Sequence, residues 1–265
     1  MSDSLFHKLK SYIGYRMASG SKHGVHSPFI YDLITKVFED SSESEAYTQI
    51  HTCYKELCGS SRVMETTDFG VSENVYSYVT KFLTVSQVAR KSSISQTEGK
   101  LLYRLANYFK PANILELGTA CGISTLYLAK GAPDARVITM EGCAAKADLA
   151  KSNFKKLGAD NIEVSTGRFD TQLPVVFEKM PVIDLVFLDG HHRFKPTMEY
   201  FKKIITKIHD ESLVVIDDIH WSPGMERAWE EIQKMPEVIV TVDLYHLGLV
   251  FFRKSLSKQH FVLRF

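Results

Sequence analysis

From Pro111 onward, apolar positions fall in short unbroken runs separated by longer amphipathic stretches. The runs NILEL (113–117), RVITM (136–140), NIEVS (161–165), IDLVFLD (183–189) and SLVVIDD (212–218) predict strands. Between them, residues 123–130, 144–157 and 194–209 carry helical spacing. Strands alternating with helices predict βαβ units, hence a parallel sheet covered by helices on both faces. Continuous apolar stretches such as LVFL and LVVI fit strands buried on both sides. After a further helix at about 223–234 come EVIVTVDL (237–244) and LGLVFFR (247–253). The turn between them is too short for a crossover, so they should pair antiparallel. The expected fold class is α/β: a seven-stranded, mostly parallel sheet closed by a C-terminal antiparallel hairpin.

Residues 1–90 follow a different pattern. LFHKLKSYIGYRM, PFIYDLITKVF and ENVYSYVTKFLTVSQVAR space their apolar residues as helices do, which predicts a helical cap or homodimerisation region. LLYRLANYFKP (101–111) predicts a helix that stops before Pro111 and feeds the first strand. The α/β domain is therefore expected over 91–265.

Composition narrows the field. The 265 residues are 45% apolar and 24% charged, ordinary for a globular protein. A net charge of +1 gives no overall electrostatic footprint for nucleic acid or an anionic membrane, so neither is expected as a partner. No signal-peptide-like or membrane-spanning apolar run is present, and Cys53, Cys58, Cys121 and Cys143 form no CxxC pair. Reduced thiols in a cytoplasmic protein are the expectation.

The most informative stretch is ILELGTACGISTLYLA (114–129): a buried strand, a glycine turn, then a helix. Gly118 and Gly122 stand where a backbone must turn sharply and approach a ligand. Their spacing is not the GxGxxG that cradles a dinucleotide pyrophosphate, which argues against an NAD-dependent oxidoreductase. Glu141 ends the second strand about 20 residues on, where an acid binding ribose hydroxyls is expected. Gly167, Arg168 and Phe169 follow the third strand, where an adenine ring would stack on an aromatic or guanidinium face.

A second constellation lies further along. Asp189 ends IDLVFLD, and Asp217 and Asp218 end SLVVIDD. Neighbouring strands lie only about 4.8 Å apart, so three carboxylates at their tips repel one another unless paired. A divalent cation relieves that repulsion, and oxygen donors without a thiolate suit Mg²⁺, Ca²⁺ or Mn²⁺ better than zinc. The alternative is that these acids cap helices or pair with Arg193, Lys195 or Arg227.

With these motifs in view, ELGTACGIS resembles motif I of class I S-adenosylmethionine-dependent methyltransferases, which have a Rossmann-like fold. The chain is most similar to the metal-dependent catechol and caffeoyl-CoA O-methyltransferases. The similarity runs from SISQTEGKLL (93–102) to LGLVFFRK (247–254), through TEGKLL, DLVFLDGHH and VVIDDIHW. The resemblance implies that Glu116, Gly118 and Ser124 hold the methionine part of S-adenosylmethionine, with Glu141 on the ribose. Gly167, Arg168 and Phe169 would frame the adenine, and Ser93 and Asp189 would join the cofactor-binding set. It implies Mg²⁺ or another divalent cation on Asp189, Asp217 and Asp218. Asp218 stands where asparagine is usual; macrolide-sugar O-methyltransferases of bacteria, which this stretch also resembles, carry an Asp-Asp pair. Three residues after Asp189, His192 occupies the place of the family's general base, and a neutral imidazole can take a hydroxyl proton near neutral pH. His191 and Lys195 are the competitors, and Trp221 would wall the acceptor pocket.

The expected reaction is metal-assisted O-methylation of a small hydroxylated acceptor. The open alternatives are a metal-independent N- or C-methyltransferase and a non-catalytic S-adenosylmethionine-binding module. His23 and His26, in KHGVHSPF (22–29), read as a structured turn and carry no assigned role.

Overall fold

The computed structural model describes residues 2–69 and 77–265, with no account of the side chains of 2–5 and 23. The chain divides into two compact units, Met1–Phe38 with Val182–Phe265 and Glu39–Pro181. In chain order it opens with helix α1 (Ser2–Ala18) and helix α2 (Pro28–Leu33). Between them KHGVHSPF makes a short turn, Lys22–Gly24, after which Ser27 accepts the Ile30 N–H and Pro28 fills the first helical position. Helix α3 (Glu45–Gly59) is followed by strands β1 (Val63–Asp68) and β2 (Val79–Thr84).

Helix α4 (Val85–Ser92) and helix α5 (Gln96–Phe109) each start on a capping box, Thr84 with Gln87 and Ser95 with Glu98. Helix α5 stops at Lys110, whose φ of 47° is left-handed, immediately before Pro111. Strand β3 (Asn113–Leu117), helix α6 (Ile123–Gly131), strand β4 (Arg136–Glu141), helix α7 (Ala144–Lys156), strand β5 (Ile162–Thr166) and helix α8 (Phe169–Lys179) complete the second unit. Strand β6 (Leu185–Leu188), helix α9 (Phe194–Ile204), strand β7 (Leu213–Asp217) and helix α10 (Pro223–Lys234) return to the first. Strands β8 (Val240–Asp243), β9 (Leu247–Phe251) and β10 (Gln259–Val262) end the chain.

In the unit Glu39–Pro181, β3, β4 and β5 run parallel, with Leu117 opposite Met140 and Glu141 opposite Thr166. Helix α5 lies close against α6, because Gly99 has no side chain: a Cβ there would sit 2.2 Å from the Tyr127 ring. In the other unit β6 and β7 are parallel, and β9 is antiparallel to both β7 and β8. The strands of β6, β7 and β9 are buried along their apolar runs, as continuous hydrophobicity requires.

The expected α/β class with a Rossmann-like, mostly parallel sheet holds. Four details differ. Among the described residues the sheet strands number eight rather than seven: β10 pairs parallel with β8 at an edge, and its half-exposed QHFV makes no apolar run. Residues 1–90 are not all helical, since Val63–Thr84 contains the antiparallel pair β1–β2. The proposed helix over 73–90 is strand from 79 to 84 and helix only from 85; residues 73–76 lie outside the described residues. Helix α8, with Pro174 inside it, was not anticipated. All four cysteines are free. Among the described residues no helix is long and apolar enough to cross a membrane.

Candidate active site

The turn after β3 is built by backbone economy. The N–H groups of Gly118 and Thr119 both reach Met140 O, at 3.0 and 3.1 Å, and Gly122 N reaches Thr119 O at 2.7 Å. Gly118, Ala120 and Gly122 have φ of 111°, 47° and 82°. Gly122 is needed for a second reason: a Cβ would lie 2.4 Å from the Phe154 ring. It opens α6 in a left-handed conformation that leaves the helix without a side-chain cap. The first-turn amides of Ile123, Ser124 and Thr125 thus offer donors, with a positive dipole end, to a carboxylate. Ser124 is buried there.

Glu141, at the end of β4, is 7% exposed. Its Oε2 accepts the Ala120 N–H at 2.8 Å and its Oε1 the Cys143 N–H at 2.8 Å. Two backbone donors fix the carboxylate beside the glycine turn and leave each oxygen a further lone pair, which suits a vicinal diol. Glu116 is fully buried; its Oε2 accepts from Thr139 Oγ1 at 2.5 Å and from Thr125 Oγ1. Thr139 Oγ1 also meets Thr119 Oγ1 at 2.6 Å. Glu116 therefore braces strand, turn and helix together. These threonines were not singled out in the sequence, because nothing in local spacing marks a hydroxyl that will meet an acid on another strand.

Gly167, with φ of 142°, donates its N–H to Glu141 O at 2.8 Å. Arg168 precedes α8 and forks onto Asp170, Nε at 3.1 Å and a terminal nitrogen at 2.7 Å. That pairing holds the Asp170 carboxyl below its ordinary range. Phe169 is the first residue of α8. Ser93 Oγ is sealed from solvent and has no hydrogen-bond partner among the described residues. A buried hydroxyl left so is costly unless a ligand satisfies it.

In the other unit, Asp189 follows β6 directly and Asp217 closes β7, and the parallel register of Leu188 with Ile216 sets the two side by side. Asp189, His192 and Asp217 bring one donor atom each within 4.8 Å of one another. His192 Nε2 is 3.2 Å from Asp189 Oδ1, and its Nδ1 is 3.7 Å from Asp218 Oδ2. Burial alone pulls the His192 pKa down, but the hydrogen bond and the charges of Asp189 and Asp218 outweigh it, and the net shift is upward. Asp218 takes a left-handed φ of 55°, which carries it out of the strand and over the imidazole. His191, also left-handed at 66°, sets its ring 5.8 Å from that of Tyr200. Lys195 is exposed, and Arg227 lies 3.8 Å over the Phe194 ring. Trp221 is half exposed and carries the Lys8 ammonium 3.1 Å above its ring.

Comparison with known proteins bears on the fold. Residues 115–219 match a family model described as a methyltransferase domain. A catechol O-methyltransferase of Niastella koreensis is 33% identical over 130 residues, covering 48% of this chain and 58% of the relative. One of Mycobacterium tuberculosis is 33% identical over 129 residues, covering 48% and 57%. The chain thus spans less than two thirds of these relatives' length. The O-methyltransferase of Bacillus cereus, solved in complex with S-adenosylhomocysteine, superposes with a TM-score of 0.57 at 18% identity, covering 89% of this chain and 99% of that one. TomG of Streptomyces achromogenes, an O-methyltransferase solved with S-adenosylmethionine, gives 0.56 at 22% identity, covering 82% and 95%. The fold is the class I methyltransferase fold, and residues 115–219 match the methyltransferase-domain model.

Proposed function

We propose that this chain is an S-adenosylmethionine-dependent O-methyltransferase that methylates a small hydroxylated acceptor with the help of a divalent cation. The observation that carries the proposal is the meeting of Asp189, His192 and Asp217 at the carboxyl ends of two parallel strands. In open α/β sheets that is where ligands bind. The O-methyltransferase names of the relatives support the same chemistry.

The residues present fit the cofactor. The uncapped start of α6 suits its carboxylate, Glu141 its ribose hydroxyls, and the unsatisfied Ser93 hydroxyl a polar atom of the methionine moiety. Bound S-adenosylmethionine supplies an electrophilic methyl on a sulfonium. The carboxylates beside His192 fit a hard divalent cation, which would hold an acceptor oxygen and lower its pKa. Asp189, Asp217 and Asp218 would hold it.

His192 is the base. Its Nε2 faces Asp189 at hydrogen-bond distance, which directs the donor proton there and leaves Nδ1 the lone pair that accepts a hydroxyl proton. Alignment of acceptor and donor accounts for much of the acceleration, up to roughly 7–11 kcal/mol for well-oriented reactants. One observation favours a second role: the His192 nitrogen lies close enough to Asp189 and Asp217 to be a ligand itself, which would select a transition metal over Mg²⁺.

Isothermal titration with S-adenosylmethionine tests the donor half. Wild-type protein should bind, and Glu141→Ala should bind about tenfold or more weakly, the cost of losing hydrogen bonds to a charged group. Equal affinity in the variant would remove Glu141 from the cofactor site. Cation titration into His192→Ala separates the two roles, since affinity drops only if the imidazole is a ligand.

A further inference from the structure

Helix α1 uses its two faces differently. On one, the Tyr15 hydroxyl donates to Leu263 O at 2.5 Å, and Ser11 Oγ donates to Glu226 and meets His220 Nδ1 at 3.1 Å. The rings of Tyr12 and Tyr15 lie 5.0 and 5.3 Å from that of Tyr245. This face is docked. On the other, Phe6 is 71%, Leu9 57%, Ile13 50% and Met17 84% exposed. Their spacing of three, four and four residues gathers them into one stripe roughly 80° wide at 100° per residue. Lys10 and Arg16 border it on its two sides; both are exposed, and neither pairs with an acid among the described residues.

We infer that this face of α1 docks on the surface of an anionic lipid bilayer. Four large apolar side chains held toward water by a helix fastened from behind form a contiguous patch of the kind that marks an interaction site. Apolar residues flanked by cations describe an interfacial helix lying in the plane of the headgroups. At 17 residues the helix is about 25 Å long, and it is no membrane span. Charge decides between this occupant and a second copy. Two copies packed stripe to stripe would line one seam with Lys10 and Arg16 from both chains, and like charges repel. Anionic headgroups oppose both cations instead. The whole-chain charge of +1, which suggested no membrane partner, averages this local bias away.

Co-sedimentation of the full chain with vesicles tests this. The vesicles are phosphatidylcholine alone, or phosphatidylcholine with about 30% phosphatidylserine. The protein should pellet with the anionic vesicles at low salt, lose most of that binding in high salt, and stay in solution with phosphatidylcholine alone. Lys10→Glu with Arg16→Glu should lower the partition coefficient at least about 25-fold, roughly fivefold per basic residue. Phe6→Ser with Met17→Ser provides an independent arm and should also release the protein. Both pairs are exposed, so circular dichroism and the thermal midpoint should stay unchanged. Absence of binding to anionic vesicles overturns the inference, as does equal binding to both compositions. A dimer in sedimentation velocity that Ile13→Asp splits, without vesicle binding, assigns the face to a second copy instead.

Discussion

Asp189, His192 and Asp217 were each legible in the sequence because strand ends can be read from where an apolar run stops. Their convergence needs only the parallel pairing of β6 with β7. What the sequence could not convey is orientation. The left-handed backbone of Asp218 places its carboxylate 3.7 Å from His192 Nδ1, and no local signal announces a non-glycine residue at φ of 55°. The base assignment makes a direct prediction. His192→Ala should lower kcat by about 10²–10⁴-fold, the usual worth of a general base, while S-adenosylmethionine affinity by titration stays within about twofold. A variant that keeps full turnover removes the proton-transfer role. His220 shows a parallel arrangement used for structure: its Nε2 is 2.7 Å from Asp243, its Nδ1 is 3.0 Å from Glu226, and its ring stacks on Tyr245.

That histidine matters for an element, because it fastens α1. Burial lowers the His220 pKa, but the bond to Asp243 and the charges of Asp243 and Glu226 raise it overall. A raised folded-state pKa contributes stability that is complete below the unfolded value, about 6.5, and is lost as pH rises through the folded value. His220→Asn should therefore lower the thermal midpoint more at about pH 5.5 than at about pH 8.5. A pH-independent difference would show that the charge on His220 does not contribute. At the glycine turn, Gly122→Ala combines a left-handed φ with a Cβ 2.4 Å from Phe154. It should cost roughly 1–3 kcal/mol in denaturant unfolding, as overpacking and backbone strain do.

The elements that escaped the sequence share a physical cause. Strand β2 is exposed along much of both faces, so VTKFLT shows no period-two burial, and only pairing with β1, some 15 residues earlier, makes it a strand. Helix α8 was masked by Pro174, and β10 by its half-exposed QHFV, which makes no apolar run. By contrast, β3, β4, β6, β7 and β9 lie within a few residues of their apolar runs, since strands buried on both faces leave no ambiguity of period.

For the whole molecule, the match over residues 115–219 and the structural neighbours establish the methyltransferase fold, and the acidic cluster raises the question of the cation. Release of S-adenosylhomocysteine from S-adenosylmethionine, measured with a panel of vicinal-diol acceptors before and after exhaustive treatment with EDTA, addresses donor, acceptor and cation together. Product should form with at least one diol, disappear on chelation and return when Mg²⁺ or Mn²⁺ is restored. Turnover that persists undiminished in the chelated protein would contradict a cation held by Asp189, Asp217 and Asp218.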